Sequence, residues 1–142
     1  LIDTTTYSQE DIFKLIVNKT GCSEEEITLQ SDIFNDLGCS GDDFHELIDE
    51  YAKQFNVDMN AYLWYFHTDE EGNNIGGVFF RPPYARVKHI PVTPEVLLKS
   101  ANKGKWIIKY PVHKLPKRRY DIIFNQVLLV LMVIILIYKC AT

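Results

Sequence analysis

The chain has little with which to do chemistry. Its 142 residues include three cysteines, Cys22, Cys39 and Cys140, an odd number with no paired spacing. That excludes a disulfide framework and points to a reducing compartment. Cys39 stands at a helix entrance that could lower its pKa, although a partly buried lone thiol is ordinarily inert; Cys140 follows an apolar run, where palmitoylation-type sites fall. Neither His45 nor His67 has a second His or Cys at metal-ligand spacing, so no metal centre is expected. A glycine-rich phosphate loop and a nucleophile elbow are both missing, which leaves no catalytic residue to nominate and makes a non-enzyme the expectation.

Acidic residues are scarce in one half only. Residues 1–60 carry 14 acids and 3 Lys, a net −11, whereas residues 61–142 carry 5 acids and 12 Lys or Arg, a net +7. A division of this kind points to a partner surface or a membrane surface. The basic half lacks any interleaved nucleic-acid motif, so no DNA or RNA partner is expected.

Charge disappears altogether near the C-terminus. Residues 122–138 hold no charged side chain, and the last twelve of them are apolar on every side. Seventeen helical residues cover about 25 Å, the short end of what a hydrocarbon core of roughly 30 Å requires, with thinning and snorkelling to make up the rest. Tyr120 and Tyr138 fall at the two interfaces, and Lys139 can reach back to headgroups. A buried core helix would read the same way, but a domain of about 110 residues cannot surround such a rod. Lys114, Lys117, Arg118 and Arg119 precede the run and only Lys139 follows it. The positive-inside rule therefore predicts a cytoplasmic N-terminal domain, a transmembrane helix over 120–139 and a very short tail beyond it. Nothing from Leu1 onward has the apolar core of a signal peptide.

Helix signals are clear in three other places. Ser8-Gln9-Glu10-Asp11 is a capping-box start, followed by Ile12, Leu15 and Ile16 on one face and stopped at Gly21. Phe44, Leu47, Ile48, Tyr51 and Phe55 recur at i, i+3, i+4, i+7 and i+11, a packing stripe whose opposite face is acidic. Thr93-Pro94-Glu95 starts a helix through Val96, Leu97, Leu98 and Ala101 that Gly104 closes. Ser31 to Phe34 reads as one helical turn, and Asp58 to His67 as a short aromatic helix with an Asp cap. Gly72, Gly76 and Gly77 around Val78-Phe79-Phe80 predict a hairpin or extended loop.

Asp36-Leu37-Gly38-Cys39-Ser40-Gly41-Asp42-Asp43-Phe44-His45-Glu46-Leu47 resembles the Asp-Leu-Gly-x-Asp-Ser-Leu signature of acyl carrier proteins, with one substitution that matters. Counting from Gly38, the phosphopantetheine serine of that family falls at Gly41, which has no oxygen to carry a phosphodiester. The order of helix, Cys22 to Ile27 loop, second helix and last helix also resembles a carrier. Together with Phe55 to Met59 and Lys103-Gly104-Lys105-Trp106, the Gly-Asp-Asp is similar to an uncharacterised bacterial family of short carrier-like proteins, best known from enterobacteria. The resemblance covers about residues 7–108 and implies no activity.

These resemblances imply a mainly α, acyl-carrier-like helical bundle over 1–108 with a small β or loop insertion at about 68–92; the charge and apolar pattern beyond it adds a basic juxtamembrane linker at 109–119 and a transmembrane helix over 120–139, so that a single-pass, tail-anchored chain in a bacterial inner membrane is expected. Ser40 reads as an N-cap, since a shift of one position turns a side chain by about 100° from the carrier direction. No cofactor is expected, the alternative being phosphopantetheine on Ser40. Asp42, Asp43, Glu46, Asp49 and Glu50 form the candidate docking face for a partner protein with a basic patch, and Lys114, Lys117, Arg118, Arg119, Tyr120, Tyr138 and Lys139 the contacts to the lipid bilayer. Trp64, Tyr65 and Phe66 read as core aromatics, with a recognition patch as the other reading.

Overall fold

A computed structural model describes residues 6–142. Among these residues it contains five α-helices, three single 3-10 turns and no β-strand. The chain divides into two compact units, Leu1–Glu71 with His89–Pro111, and Gly72–Lys88 with Val112–Thr142. The division runs through the expected insertion: residues 72–88 group with the C-terminal helix, and their neighbours on either side stay with the helical domain.

The first unit is built on α1 (Gln9–Thr20), α2 (Gly41–Gln54) and α4 (Pro94–Lys103), with α1 packed against the other two. The Ser8 hydroxyl accepts the Asp11 amide at 3.3 Å while the Asp11 carboxylate accepts the Ser8 amide at 2.8 Å, the reciprocal box the sequence predicts. Gly21 ends α1 at φ 72°, a backbone that only glycine adopts without steric cost. All five residues of the α2 stripe are buried against Ile12, Leu15 and Ile16 of α1 and Leu97 and Ala101 of α4. Tyr51 adds a directional tie, its hydroxyl donating to the Leu97 carbonyl at 2.6 Å. Thr93 caps α4 as expected, its hydroxyl accepting the Val96 amide.

Two local expectations are corrected, and the single turn near residues 31–34 is present with side-chain support. Residues 58–67 do not form a helix: the Asp58 amide donates to Gly104 and the Asp58 carbonyl accepts from Trp106, both at 2.9 Å, which pulls the backbone into a bridge with the residues after α4. Helical geometry is left only to the 3-10 turn Trp64–Phe66. The turn at 31–36 closes on one helical backbone bond, the Asp36 amide donating to the Asp32 carbonyl at 2.8 Å, and side chains reinforce it, with the Asp32 carboxylate accepting from the Phe34 amide and from the Asn35 side chain, and the Asp36 carboxylate accepting the Asp32 amide. The expected β insertion is α3 (Gly76–Phe79) followed by the 3-10 turn Pro83–Ala85.

In the second unit α3 packs on α5 (Tyr120–Ala141). The glycines that suggested a hairpin serve a close approach instead. A Cβ on Gly76 would lie 2.1 Å from the Asp121 carbonyl oxygen, so only glycine lets the turn settle there. Asn74 bends back to accept the Gly77 amide at 2.9 Å, capping α3. α5 has 22 residues, longer than the charge-free run alone, and at 1.5 Å per residue it reaches about 33 Å. Only 6% of its apolar window is buried, so it is not a core helix, and it is long and apolar enough to cross a membrane.

The α2 stripe yields a direct test. Leu47 is wholly buried, and Leu47→Ala is expected to cost roughly 2 to 5 kcal/mol. A denaturant titration of the full chain in neutral detergent, followed by tryptophan fluorescence, reads the change. A midpoint equal to wild type would place Leu47 outside the core.

Candidate functional site

Gly41 is where the carrier comparison and the geometry meet. It opens α2 with φ 54°, in the left-handed region, and it is buried. Its amide donates to the Thr68 hydroxyl at 3.1 Å, and a Cβ built on it would lie 2.0 Å from Cγ of Glu71. A side chain at position 41 is therefore opposed by the backbone, and the exposed Glu71 side chain would have to swing aside for it. Ser40 holds the extended N-cap conformation, φ −135° and ψ 169°, but its hydroxyl makes no capping hydrogen bond. The side-chain cap expected of Ser40 is thus corrected: Thr68, distant in sequence, takes the first helical amide.

Thr68 is held in place by its neighbour. His67 is fully buried, with Nδ1 2.7 Å from the Ile90 carbonyl and Nε2 2.7 Å from the Tyr110 hydroxyl. A carbonyl can only accept, so Nδ1 bears the proton and Nε2 accepts from Tyr110. The Tyr110 oxygen in turn receives the Trp106 indole N–H at 2.8 Å and the Leu63 amide at 3.1 Å. Burial drives the His67 pKa down to about 4, against a smaller upward pull from the Ile90 carbonyl. The Tyr62 ring stacks on the imidazole at 5.4 Å and the Trp106 ring meets it edge-on at 5.7 Å. Phe66 is core and Trp64 and Tyr65 are half-buried, which favours the packing reading of that aromatic triplet.

Cys39 and His89 are each held by their surroundings. Burial pushes the Cys39 thiol up to about 11, the opposite of activation. His89 Nε2 lies 2.7 Å from an Asp32 oxygen, yet that carboxylate is already committed to the turn at 31–36. Among the described residues no group of three His, Cys, Asp or Glu side chains could hold a metal ion.

The five acids singled out on α2, Asp42, Asp43, Glu46, Asp49 and Glu50, are all exposed and lie on one helix opposite the buried stripe. The basic residues of the other unit fare differently. Lys114, Lys117 and Arg118 are exposed, while Arg119 chelates the buried Asp121 with Nε at 3.0 Å and Nη2 at 2.6 Å. Asp121 also accepts from Asn74, whose carbonyl oxygen receives Asn125, and Asn125 accepts the Gly76 amide at 2.7 Å. This chain of bonds absorbs Asp121 and Asn125 in the first turns of α5. Tyr138 and Lys139 lie at the far end of the helix, about 27 Å along it, and are not brought to this cluster.

Beside the first turn of α5 lies a cleft of about 100 Å³. Four arginines line it, Arg81, Arg86, Arg118 and Arg119, and its apolar walls come from Phe80, Pro83, Leu115, Pro116 and Tyr120. Arg86 is steadied by Nε donating to the Arg81 carbonyl at 2.7 Å. Arg81 and Arg86 were not foreseen in the sequence; their only signal was the basic excess of the second half.

The His67 site makes a pH prediction. With a folded pKa of about 4 against an ordinary 6.5, the unfolded chain binds a proton between those values that the native imidazole refuses. Stability is therefore fully present above pH 6.5 and falls as pH drops toward 4, by up to about 1.4 kcal/mol per pH unit and roughly 3 kcal/mol in all. Denaturation midpoints at several pH values should show this slope in wild type and a shallower one in His67→Gln. Equal slopes in the two proteins would mean that His67 protonates in the folded state.

No solved structure matches the chain. A family model described as a protein of unknown function, DUF1493, matches residues 9–109, from the start of α1 to just before Tyr110, so that α5 lies beyond the matched segment. By that match the chain belongs to the DUF1493 family.

Proposed function

We propose that this chain is a membrane-anchored, non-acylated carrier-like module that binds a partner protein through the acidic face of α2. The observation that carries the reading is Gly41, buried and at positive φ where a carrier has its serine, with Thr68 on its amide and Glu71 over its Cα. A carrier-like helix with no oxygen at its attachment point retains only its surface. That surface holds five exposed acids and is suited to a basic patch on a partner, where opposite charge speeds encounter. Anchoring is supported by α5, and the four basic residues at 114–119 favour a cytoplasmic face at the inner membrane.

Two experiments test the reading. Incubation of the full chain with coenzyme A and a broad-specificity phosphopantetheinyl transferase should leave the intact mass unchanged, in wild type and in Gly41→Ser alike. The substituted serine also forces a non-glycine residue into the left-handed region, at about 1 to 3 kcal/mol. Addition of one phosphopantetheine to wild type, lost in Ser40→Ala, would replace this reading with a tethered acyl carrier.

The second experiment concerns the acidic face. Glu46→Lys with Glu50→Lys should change stability by no more than about 0.5 kcal/mol, yet reduce capture of the partner and flatten the salt dependence of its binding. Undiminished capture with an unchanged salt slope would make α2 a solvated surface and nothing more.

A further inference from the structure

We propose that the arginine-lined cleft beside α5 is a binding site for the phosphate headgroup of an anionic phospholipid. The proposal rests on the membrane reading above, and it adds a ligand, a place for it and residues that select it.

Charge is the first argument. The only acid in the cleft wall is Asp121, and Arg119 neutralises it through two hydrogen bonds. Arg81, Arg86 and Arg118 remain as uncompensated cations around a small volume. Arg86 is fixed at Nε, so its two Nη groups are held ready for a ligand without a large loss of side-chain freedom. Guanidinium groups match phosphate oxygens with paired, planar donors, which the flexible ammonium groups of Lys114 and Lys117 cannot do. Those two lysines do not line the cleft.

The walls decide what carries the phosphate. Phe80, Pro83, Leu115, Pro116 and Tyr120 offer apolar surface that a free phosphate ion could not use. A glycerophospholipid has a glycerol backbone and the first methylenes of its chains to lay there. The cleft also lies at the first turn of a helix whose apolar surface continues, exposed, for the rest of its length. In a bilayer that turn is at headgroup depth, and the acyl chains run beside α5.

Exposed apolar residues in the same unit support the same depth. Val78 is 81% exposed and Phe79 66% exposed on α3, with the Phe79 ring 5.1 Å from Phe124 and the Phe80 ring 6.0 Å from Tyr120. Aromatic rings grouped at one end of an apolar helix form an interfacial belt. α3 is fastened to that end by the Gly76 to Asn125 bond, so the residues that bring Arg81 into the cleft cannot drift from the headgroup layer.

The test uses the full chain in nanodiscs of phosphatidylcholine with a minority of phosphatidylglycerol, followed by release and native mass spectrometry of the protein with its retained lipid. Wild type should keep phosphatidylglycerol well above its share of the bilayer. Arg81→Gln with Arg86→Gln should lower that retention by roughly tenfold or more, while Lys114→Gln with Lys117→Gln should leave it nearly intact. Equal losses in the two double variants would reduce the effect to diffuse attraction and overturn the site. Displacement of the lipid by inorganic phosphate as readily as by glycerol phosphate bearing short acyl chains would also overturn it, in favour of a soluble anion. Incorporation into pure phosphatidylcholine discs separates the two levels of argument. A protein that enters them but shows no preference for phosphatidylglycerol sinks the cleft alone, and one that enters no disc sinks the anchor and the cleft together.

Discussion

The first unit depends on one buried imidazole. His67 ties the end of the aromatic turn to residue 90 through Nδ1 and to Tyr110 through Nε2, and Tyr110 gathers Trp106 and Leu63 on the same oxygen. Three stretches without regular structure of their own thereby acquire fixed positions. Every donor and acceptor in the network is used, with the hydroxyl accepting twice and donating once, so a proton added to Nε2 would face an oxygen with no free lone pair. Such a network strengthens in a low dielectric when complete and is costly when broken. Placing His67 also places Thr68, and through it the start of α2.

The second unit depends on a different arrangement of polar groups. Asp121 and Asn125 stand in the first two turns of a mostly apolar helix, where unpaired polar side chains are expensive. Asn74, Arg119 and the Gly76 amide take up their hydrogen bonds, and the close approach that this needs is possible because Gly76 has no side chain. The price of two polar residues is thus recovered as a fixed docking of α3.

What the sequence made legible was whatever local chemistry decides. α1, α2 and α4 have caps, stops and a 3.6-residue period that agree with one another, and α5 has a composition that needs no period. Residues 58–67 were misread because an aromatic cluster carries no clear periodicity, and its backbone is set by Gly104 and Trp106, more than forty positions away. The glycines at 76 and 77 were misread as a turn, since close approach to another helix leaves the same local mark as a hairpin. Within the candidate site, the acidic face of α2 and the absence of serine at position 41 were visible. Thr68, Glu71, Arg81 and Arg86 were not, because each matters through a neighbour distant in sequence.

The charge division seen along the sequence coincides with the division in space. The unit that contains α5 has eight Lys and Arg against the single acid Asp121, whereas the other unit has eighteen acids against seven Lys and Arg. An anionic leaflet attracts the first and repels the second, and both effects fade within a Debye length of about 10 Å at ordinary salt. On the proposed reading, that repulsion would favour an acidic helix free of lipid and open to a partner. A uniformly basic chain would spread on the bilayer and hide its own surface; a uniformly acidic one would gain nothing from arginines at the anchor. Segregation allows one molecule to hold lipid at one unit and present an acidic face at the other, which is the physical content of the proposed tethered module.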